Sequence, residues 1–327
     1  MLRLGIIGTN WITQQFVEAG KANNTFKLTE VYSRMEEHAK AFVDKLKGND
    51  ITLTTDIDAF FDSDNFDVVY IASPNSLHFQ YIKQAIKAGK QLVVEKPLVS
   101  TRAEFEEVTK LLKQNPQVYL FEAARHIHEK EFKALQNQVN QAKEIDGATI
   151  VYRKYSSRYD AVLAGQEPNV FSPKFSGGAL YDLGVYLLYD AISLFGMPKD
   201  AEYIPQMLKT GVDGQGTIVL HYQTYDVTML VGKISNSYLP SEIYTGKKTI
   251  MFNDGGTVRK IWDNQDDYTL EGPDRNPMLA ETKVFADTIN KQDRAEFEKL
   301  FRLADQVNQV LTTIRKKAGI KFAADNK

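Results

Sequence analysis

The strongest candidate for chemistry in this sequence is the charged pair Glu95-Lys96, which is followed by Pro97 and preceded by the apolar run 91–94. A lysine at the end of a buried strand can polarise a carbonyl group or relay a proton. Proline fixes the backbone directly after the pair, so the charges have a defined position. The alternative is an ordinary ion pair at a strand end, and these residues alone leave both interpretations open.

A second polar segment follows the apolar run 67–72. Ligands of open parallel sheets bind at the carboxyl edge of the strands, where this segment is predicted to lie. Alternatively, Asn75 and Ser76 cap the next helix and His78 lies on the surface of that helix. The candidate cofactor contacts here are Ser73, Pro74, Asn75 and His78.

Residues 5–13 are spaced like a glycine-rich phosphate-binding turn. If the fingerprint G-x-G-x-x-G/A starts at Gly8, Asn10 replaces its second glycine and Thr13 its third. Asparagine tolerates a left-handed backbone better than most residues, so a tight turn that aims a helix N-terminus at a pyrophosphate remains possible. The alternative is a plain strand-to-helix turn. The predicted cofactor contacts are Gly8, Thr9, Asn10, Trp11 and Ile12.

The second predicted strand ends in Ser33-Arg34. A dinucleotide-binding domain that selects NAD places an acidic residue near this position, against the ribose hydroxyls. Here a serine and a guanidinium stand instead, and the guanidinium can pair with a 2′-phosphate. Arg34 can also be a solvated surface residue. The pattern favours NADP over NAD.

The elements that would position these residues alternate along the first third of the chain. Short apolar runs, such as 2–7, 26–32 and 67–72, are separated by amphipathic stretches such as 11–22. Continuous apolar strands connected by helices indicate a parallel sheet covered on both faces. We predict a doubly wound, dinucleotide-binding α/β domain over residues 1–122.

The pattern changes after that domain. A Gly177-Gly178 pair precedes an apolar stretch, 179–195, that predicts a helix. From about residue 201 to 270, short candidate strands alternate with turn signals, which is typical of an antiparallel sheet. We predict a second, α/β domain over residues 123–327.

The composition excludes several classes of function. The chain has no cysteine, which excludes a disulfide scaffold, thiolate metal sites and a cysteine nucleophile. The spacing of its 5 histidines predicts no metal site. A formal net charge of −2 gives no general attraction to nucleic acid or anionic membranes. No run reaches the length of a membrane span and the N-terminus lacks a signal peptide's apolar region, so we expect a cytoplasmic protein without nucleic-acid or membrane partners.

Three groups of residues carry a resemblance to a known family. The first is P-N-x-x-H followed by E-K-P, within residues 67–97. The second is G-G-x-L-x-D-x-G-x-Y over residues 177–186, and the third is A-R-H at 124–126. In this order and at these separations they resemble the Gfo/Idh/MocA family, named after glucose-fructose oxidoreductase, inositol dehydrogenase and a rhizopine-catabolism protein.

The resemblance implies a Rossmann domain followed by an α/β domain with a large, mostly antiparallel sheet. It also implies hydride transfer between a nicotinamide and a secondary alcohol or carbonyl carbon of a sugar, polyol or related small molecule. By motif match, Lys96 is the catalytic lysine at the reacting oxygen. Glu95 and Arg125 join segment 73–78 as cofactor contacts.

Tyr186 stands where most of this family has a histidine, as in the branch that resembles glucose-fructose oxidoreductase and dihydrodiol dehydrogenase. A phenol paired with a lysine can exchange a proton with an alkoxide, although an interior helix tyrosine is the alternative. Asp182, one helical turn earlier, would share the face of Tyr186 and orient the substrate or the lysine. The family's last acid in this pattern falls at Tyr189, with Asp190 one position late.

Three functions stay open at this point: a reversible NAD(P)-dependent dehydrogenase or reductase, a glycoside-processing enzyme with tightly held NAD, and a non-catalytic dinucleotide sensor. The family also implies a homodimer or a dimer of dimers that packs through the second-domain sheets. An outer sheet face and the intramolecular core are both possible places for the apolar residues Ile218, Leu220, Met229 and Val231.

Overall fold

The computed structural model describes residues 1–48, 50–265 and 268–326. The chain forms two compact units. The first unit contains Met1–Val99, Ala103–Arg125 and Arg275–Arg302, and the second contains Ser100–Arg102, His126–Asp274 and Leu303–Lys327. The division at residue 122 remains a prediction, and the sequence gives no signal that residues 275–302 return to the first unit.

The first unit is built on a six-stranded parallel sheet with the order β3-β2-β1-β4-β5-β6. Helices connect successive strands, so the predicted doubly wound Rossmann fold is confirmed. The strands are β1 Leu2–Ile7, β2 Phe26–Tyr32, β3 Thr52–Thr54, β4 Val68–Ile71, β5 Gln91–Glu95 and β6 Leu120–Ala123. The helices are α1 Trp11–Ala22, α2 Glu36–Leu46, α3 Ile57–Asp62, α4 Asn75–Lys87 and α5 Arg102–Gln114.

The centre of this sheet has no polar face. All four residues of β4 are buried, because helices cover both sides. The ring of Phe16 from α1 stacks on Tyr70 of β4 at a centroid distance of 4.0 Å. This stacking fixes α1, and with it the turn that precedes it, against the sheet.

The second unit is built on an eight-stranded sheet with the order β14-β13-β12-β11-β7-β10-β9-β8. All strand pairs are antiparallel except β7 with β10, which confirms the large, mostly antiparallel sheet. The strands are β7 Gly147–Arg153, β8 Asp200–Met207, β9 Asp213–His221, β10 Asp226–Gly232, β11 Ser241–Thr245, β12 Lys248–Asp254, β13 Thr257–Asp263 and β14 Thr269–Glu271.

The helices that follow the first domain in the chain are α6 Lys130–Gln141, α7 Tyr159–Leu163, α8 Val185–Phe195, α9 Leu279–Asn290 and α10 Arg294–Lys317. The predicted helix 179–195 is not a single α-helix, because its first part, Leu180–Gly184, is a turn of π-helix. Such turns are rare and occur frequently at functional sites.

Alternation along β9 and β10 decides where the apolar residues of these strands lie. Ile218, Leu220, Met229 and Val231 are all fully buried. They form the core of the second unit and leave the opposite side of each strand for any interface between copies of the chain.

One stretch of the described residues, Pro173–Phe195, is long and apolar enough to cross a membrane by length and composition. Of its most apolar window, 78% is buried inside the protein, as expected for a core helix.

Candidate active site

The turn after β1 requires glycine at its first position. Gly8 has φ +106°, and a Cβ atom there would lie 2.5 Å from the backbone oxygen of Ala72. Any side chain would therefore collide with the end of β4, which is a backbone that cannot easily move. The close approach matches a phosphate-binding turn, whose backbone must come near a pyrophosphate.

Asn10 closes this turn with its side chain. Its Oδ1 accepts hydrogen bonds from the amides of Ile12 at 3.0 Å and Thr13 at 3.1 Å, and its Nδ2 donates to the Ala72 oxygen at 3.1 Å. Its φ is −93°, so the left-handed backbone that we expected for an asparagine at this position is not used. Asn10 replaces the fingerprint's second glycine because it caps α1, while the next residue, Trp11, is 66% exposed.

The segment after β4 leads into α4. Pro74 is the N-cap residue and makes no side-chain cap bond, so Asn75 and Ser76 do not occupy the capping position that we considered for them. Ser73, Pro74 and Asn75 are all partly exposed. Their side chains therefore remain accessible at the carboxyl edge of the sheet.

His78 is fully buried, and each ring nitrogen faces a backbone oxygen. Nδ1 lies 3.0 Å from the oxygen of Pro97 and Nε2 lies 3.0 Å from that of Ser73. Burial, together with the Lys96 cation, lowers the pKa of His78 to about 4, although the carbonyl groups favour the charged ring. The neutral imidazole has one N–H, so it donates to one of the two oxygens and packs against the other, between the turn after β4 and the loop after β5. Its predicted contact with a cofactor stays a prediction.

Glu95 ends β5 with 7% of its surface exposed. The Tyr70 hydroxyl of the neighbouring strand donates to Glu95 Oε1 at 2.5 Å. Burial raises the pKa of Glu95, while Lys96, Tyr70 and Arg125 act in the opposite direction. These residues form one electrostatic group at the strand end, where Lys96 is partly exposed and is joined to Pro97 by a cis peptide bond. Sequence reasoning missed Tyr70, a hydroxyl within an apolar strand.

Ser33 and Arg34 follow β2. The Ser33 hydroxyl accepts a hydrogen bond from the Met35 amide at 3.4 Å, and the Arg34 side chain is exposed. Burial raises the pKa of Tyr81, and the positive charge of Arg34 opposes that rise. The guanidinium therefore lies within electrostatic range of the Tyr81 phenol.

In the second unit, a buried carboxylate fixes the start of the π-turn. Asp213 accepts hydrogen bonds from the Leu180 amide at 2.7 Å and from the Tyr203 hydroxyl at 2.6 Å. Gly178 has φ +111°, and a Cβ there would collide with Asp213 Oδ1. The glycine pair of the motif therefore leaves room for a carboxylate that the sequence did not single out.

Asp182 lies within the π-turn, and 31% of its side chain is exposed. Its Oδ2 accepts a short hydrogen bond from Lys233 Nζ. Lys233 follows β10 and was not among the predicted site residues. No motif in the sequence marks it.

Tyr186 lies in the first turn of α8 and is 5% exposed. Its ring packs edge-on against Tyr152 at 5.7 Å and lies 4.9 Å from the ring of His126. The Nε2 of His126 lies 3.1 Å from Asp190 Oδ1, and both side chains are fully buried. Burial raises the pKa of Asp190 well above its usual value, and the charge of Asp254 adds to this.

The spacing of Asp190 from Tyr186 explains why both side chains lie beside His126. Asp190 follows Tyr186 by four residues, so both lie on the same face of α8 and both reach His126. Among the described residues, no group of three or more histidine or acidic side chains is arranged to hold a metal ion.

Comparisons with known proteins identify the family. Residues 2–124 match the family model described as "Oxidoreductase family, NAD-binding Rossmann fold", GFO_IDH_MocA. The scyllo-inositol 2-dehydrogenase (NADP(+)) IolU of Bacillus subtilis is 37% identical over 329 residues, which cover 99% of this chain and 99% of that protein. The uncharacterized oxidoreductase YgjR of Escherichia coli is 36% identical over 333 residues, covering 100% and 99%.

Among solved structures, KijD10, a 3-ketoreductase from Actinomadura kijaniata in complex with NADP and TDP-benzene, superposes with a TM-score of 0.80. The match covers 95% of this chain and 97% of that one at 21% identity, so it supports the fold alone. With two full-length relatives above one third identity, this chain belongs to the Gfo/Idh/MocA family of NAD(P)-dependent oxidoreductases.

Proposed function

We propose that this oxidoreductase transfers a hydride between NADP and a secondary alcohol or ketone carbon of a cyclic polyol or a sugar. The full-length similarity to a scyllo-inositol 2-dehydrogenase that uses NADP carries this proposal. The glycine-only turn at Gly8 and the polar edge formed by Glu95 and Lys96 support it, because they suit a dinucleotide and a reacting oxygen. When bound, the nicotinamide supplies or accepts the hydride.

Lys96 and Tyr186 are proposed to handle the reacting oxygen. During oxidation of an alcohol the carbon loses a hydride and the oxygen loses a proton, so a cation and a proton acceptor are both needed. The Lys96 ammonium would stabilise the developing alkoxide. The Tyr186 hydroxyl would exchange the proton, and its ring is held by Tyr152 and His126. Asp182 would orient a substrate hydroxyl.

Ser33 and Arg34 are proposed to select NADP. Their exposure leaves both available to a 2′-phosphate, and no acidic side chain replaces them at the end of β2. Gly8, Thr9, Asn10, Trp11 and Ile12 are proposed to lie along the pyrophosphate. Ser73, Pro74, Asn75, His78, Glu95 and Arg125 are proposed to shape the cofactor site at the carboxyl edge of β4 to β6.

The proposal is tested by following NADPH absorbance with scyllo-inositol and related cyclic polyols or their ketones. Replacing Lys96 with alanine is expected to lower kcat about 10²- to 10⁴-fold, the usual range for a lost acid or base. Lys87→Ala, at an exposed position in α4, is the matched control and should leave kcat unchanged. NADPH binding without turnover of any substrate would instead support the sensor hypothesis.

The cofactor preference is tested separately by fluorescence titration. Arg34→Ala should weaken NADPH binding by about 10- to 100-fold and leave NADH binding unchanged, because only NADPH carries the 2′-phosphate. Lys40→Ala, which removes another exposed cation of α2, should change neither. An equal loss for both cofactors would contradict the assignment of Arg34.

We also propose a homodimer or a dimer of dimers that packs through the outer side of the second-unit sheet. Ile204 and Met207 of β8 are 63% and 46% exposed, which supplies apolar surface on an edge strand. Light scattering after size-exclusion chromatography should give the mass of two or four chains. Ile204→Glu should lower that mass.

A further inference from the structure

Lys233 is a buried cation outside every motif of the family resemblance. Its side chain is 3% exposed, and its Nζ donates to Asp182 Oδ2. The ammonium also lies 4.7 Å from the centroid of the Phe171 ring, which is itself fully buried. A lysine removed from water in this way is costly unless it is paired, so its charge has a defined partner.

Two carboxyl groups, those of Asp213 and Asp182, interact electrostatically with the Lys233 ammonium. Burial raises the pKa of Asp213, while Tyr203, Leu180 and then Lys233 oppose the rise. Asp213 is already held by the Leu180 amide and the Tyr203 hydroxyl and is only 1% exposed. Asp182 is the carboxylate that Lys233 contacts directly and that also reaches the surface.

The Asp182 carboxylate is the partner that reaches the surface, so it can accept a hydrogen bond from a ligand while Lys233 holds it. The π-turn that carries Asp182 is an irregularity placed directly before Tyr186, and its N-terminal end is fixed by Asp213. Lys233 anchors the same turn through its side chain. The turn is therefore held at two points by buried charges, with the Asp182 carboxylate presented from it.

We propose that Lys233 is a positioning residue that holds the Asp182 carboxylate in the orientation in which it accepts a hydrogen bond from a substrate hydroxyl next to the reacting carbon. This rests on the proposed function, in which Tyr186 handles the reacting oxygen. Asp182 in the π-turn precedes Tyr186 in the first turn of α8 by four residues, which is close to one turn of this segment, so a substrate with hydroxyl groups on adjacent carbons suits their spacing. The pair selects vicinal polyols over simple alcohols and ketones.

The test is a double-mutant cycle on the full-length enzyme with scyllo-inositol and NADP. Asp182→Asn and Lys233→Met should each lower kcat/KM about 10- to 100-fold, mainly through KM, because each removes a charged hydrogen-bond acceptor or its orientation. The double variant should be no worse than Asp182→Asn alone. Lys209→Met, at an exposed position, is the matched control, and the NADPH dissociation constant should stay constant in all variants.

The inference is overturned if the loss of kcat/KM in the double variant equals the product of the two single losses, or if Lys233→Met keeps the wild-type KM. Either result leaves the proposed function intact. Absence of turnover by the wild-type enzyme would count against the proposed function itself and remove the basis of the inference. If Lys233→Met does not fold, Lys233→Gln, which removes the charge and shortens the reach of the side chain but keeps it polar, decides in its place. A raised KM with unchanged NADPH affinity then supports the positioning role, and a wild-type KM refutes it.

Discussion

Asn10 and His78 of the first unit and Asp182 and His126 of the second unit have different kinds of partner. Asn10 bonds to backbone atoms of Ile12, Thr13 and Ala72, and His78 lies between the backbone oxygens of Ser73 and Pro97. Asp182 accepts a hydrogen bond from the Lys233 side chain, and His126 Nε2 lies 3.1 Å from Asp190 Oδ1. Backbone partners exist whatever the sequence, whereas side-chain partners exist only if two distant positions carry the right residues.

This difference has an energetic consequence. Substitution of Asn10 or His78 removes a side chain and leaves backbone groups that water or a neighbouring amide can satisfy. Substitution of Asp182 or Asp190 leaves an ionisable side chain buried beside the lost carboxyl group, which costs more. Substitutions at Asn10 and His78 should therefore be tolerated better than those at Asp182 and Asp190.

The largest effect is expected at the His126–Asp190 pair. Asp190→Ala should lower the free energy of unfolding by about 2–5 kcal/mol, because it removes a fully buried carboxyl group beside His126 and leaves a cavity in the core. The chain offers a matched surface pair, His221 and Asp226, with atoms 2.9 Å apart and side chains 34% and 57% exposed. Asp226→Ala should cost at most about 1 kcal/mol. Urea denaturation measures both, and equal losses would break the comparison.

A pH titration of stability tests the backbone-bonded His78. The pKa of His78 is lowered to about 4 in the folded chain. Between pH 6.5 and 4 the unfolded chain therefore carries a proton on this ring that the folded chain does not. Stability should therefore be lost as the pH falls from about 6.5 to 4, by about 3 kcal/mol at most.

The control for this titration is a pair of histidine substitutions. His78→Gln should remove that part of the pH dependence, whereas His38→Gln, at an exposed position of α2, should retain it. Identical melting-temperature profiles for wild type and His78→Gln would mean that the carbonyl groups hold the ring in its charged form.

The first unit was largely predictable from the sequence. The runs 2–7, 11–22 and 26–32 coincide with β1, α1 and β2, because two short, mainly apolar strands flank a stretch with helical periodicity. The helix α3 was missed, since six residues are too few for a periodic pattern, although Asp56 caps it through the amides of Asp58 and Ala59.

The second unit was predictable as a fold class but not as a site. Asp182 and Tyr186 were found by motif resemblance, but their partners lie far away along the chain. Lys233 is 51 positions from Asp182, and His126 is 64 positions from Asp190 by sequence number. The residues around Lys233 and His126 do not indicate which distant side chain each will contact, because the fold of the second unit, not the local sequence, brings the partners together.

A smaller effect is expected at the turn after β1. Gly8→Ala should cost about 2–3 kcal/mol through backbone strain and contact with the Ala72 oxygen, and it should abolish NADPH binding. Gly89 also has a positive φ, +68°, but nothing lies within 4 Å of a Cβ there. Gly89→Ala should therefore cost about 1–2 kcal/mol and leave NADPH binding intact. Fluorescence titration and urea denaturation separate the two, and NADPH binding by Gly8→Ala would refute the phosphate-turn assignment.

The smallest effect is expected at Asn10. Asn10→Ala should cost about 1 kcal/mol, because the amides of Ile12 and Thr13 lose their cap, while Asn10→Gly should cost only a few tenths of that. Glycine would also restore the usual fingerprint, so Asn10→Gly should bind NADPH at least as well as wild type. If glycine weakened NADPH binding as much as alanine, the Asn10 side chain would contact the cofactor as well as cap α1. The first unit would then depend on side-chain chemistry at this turn, as the second unit does at Asp182.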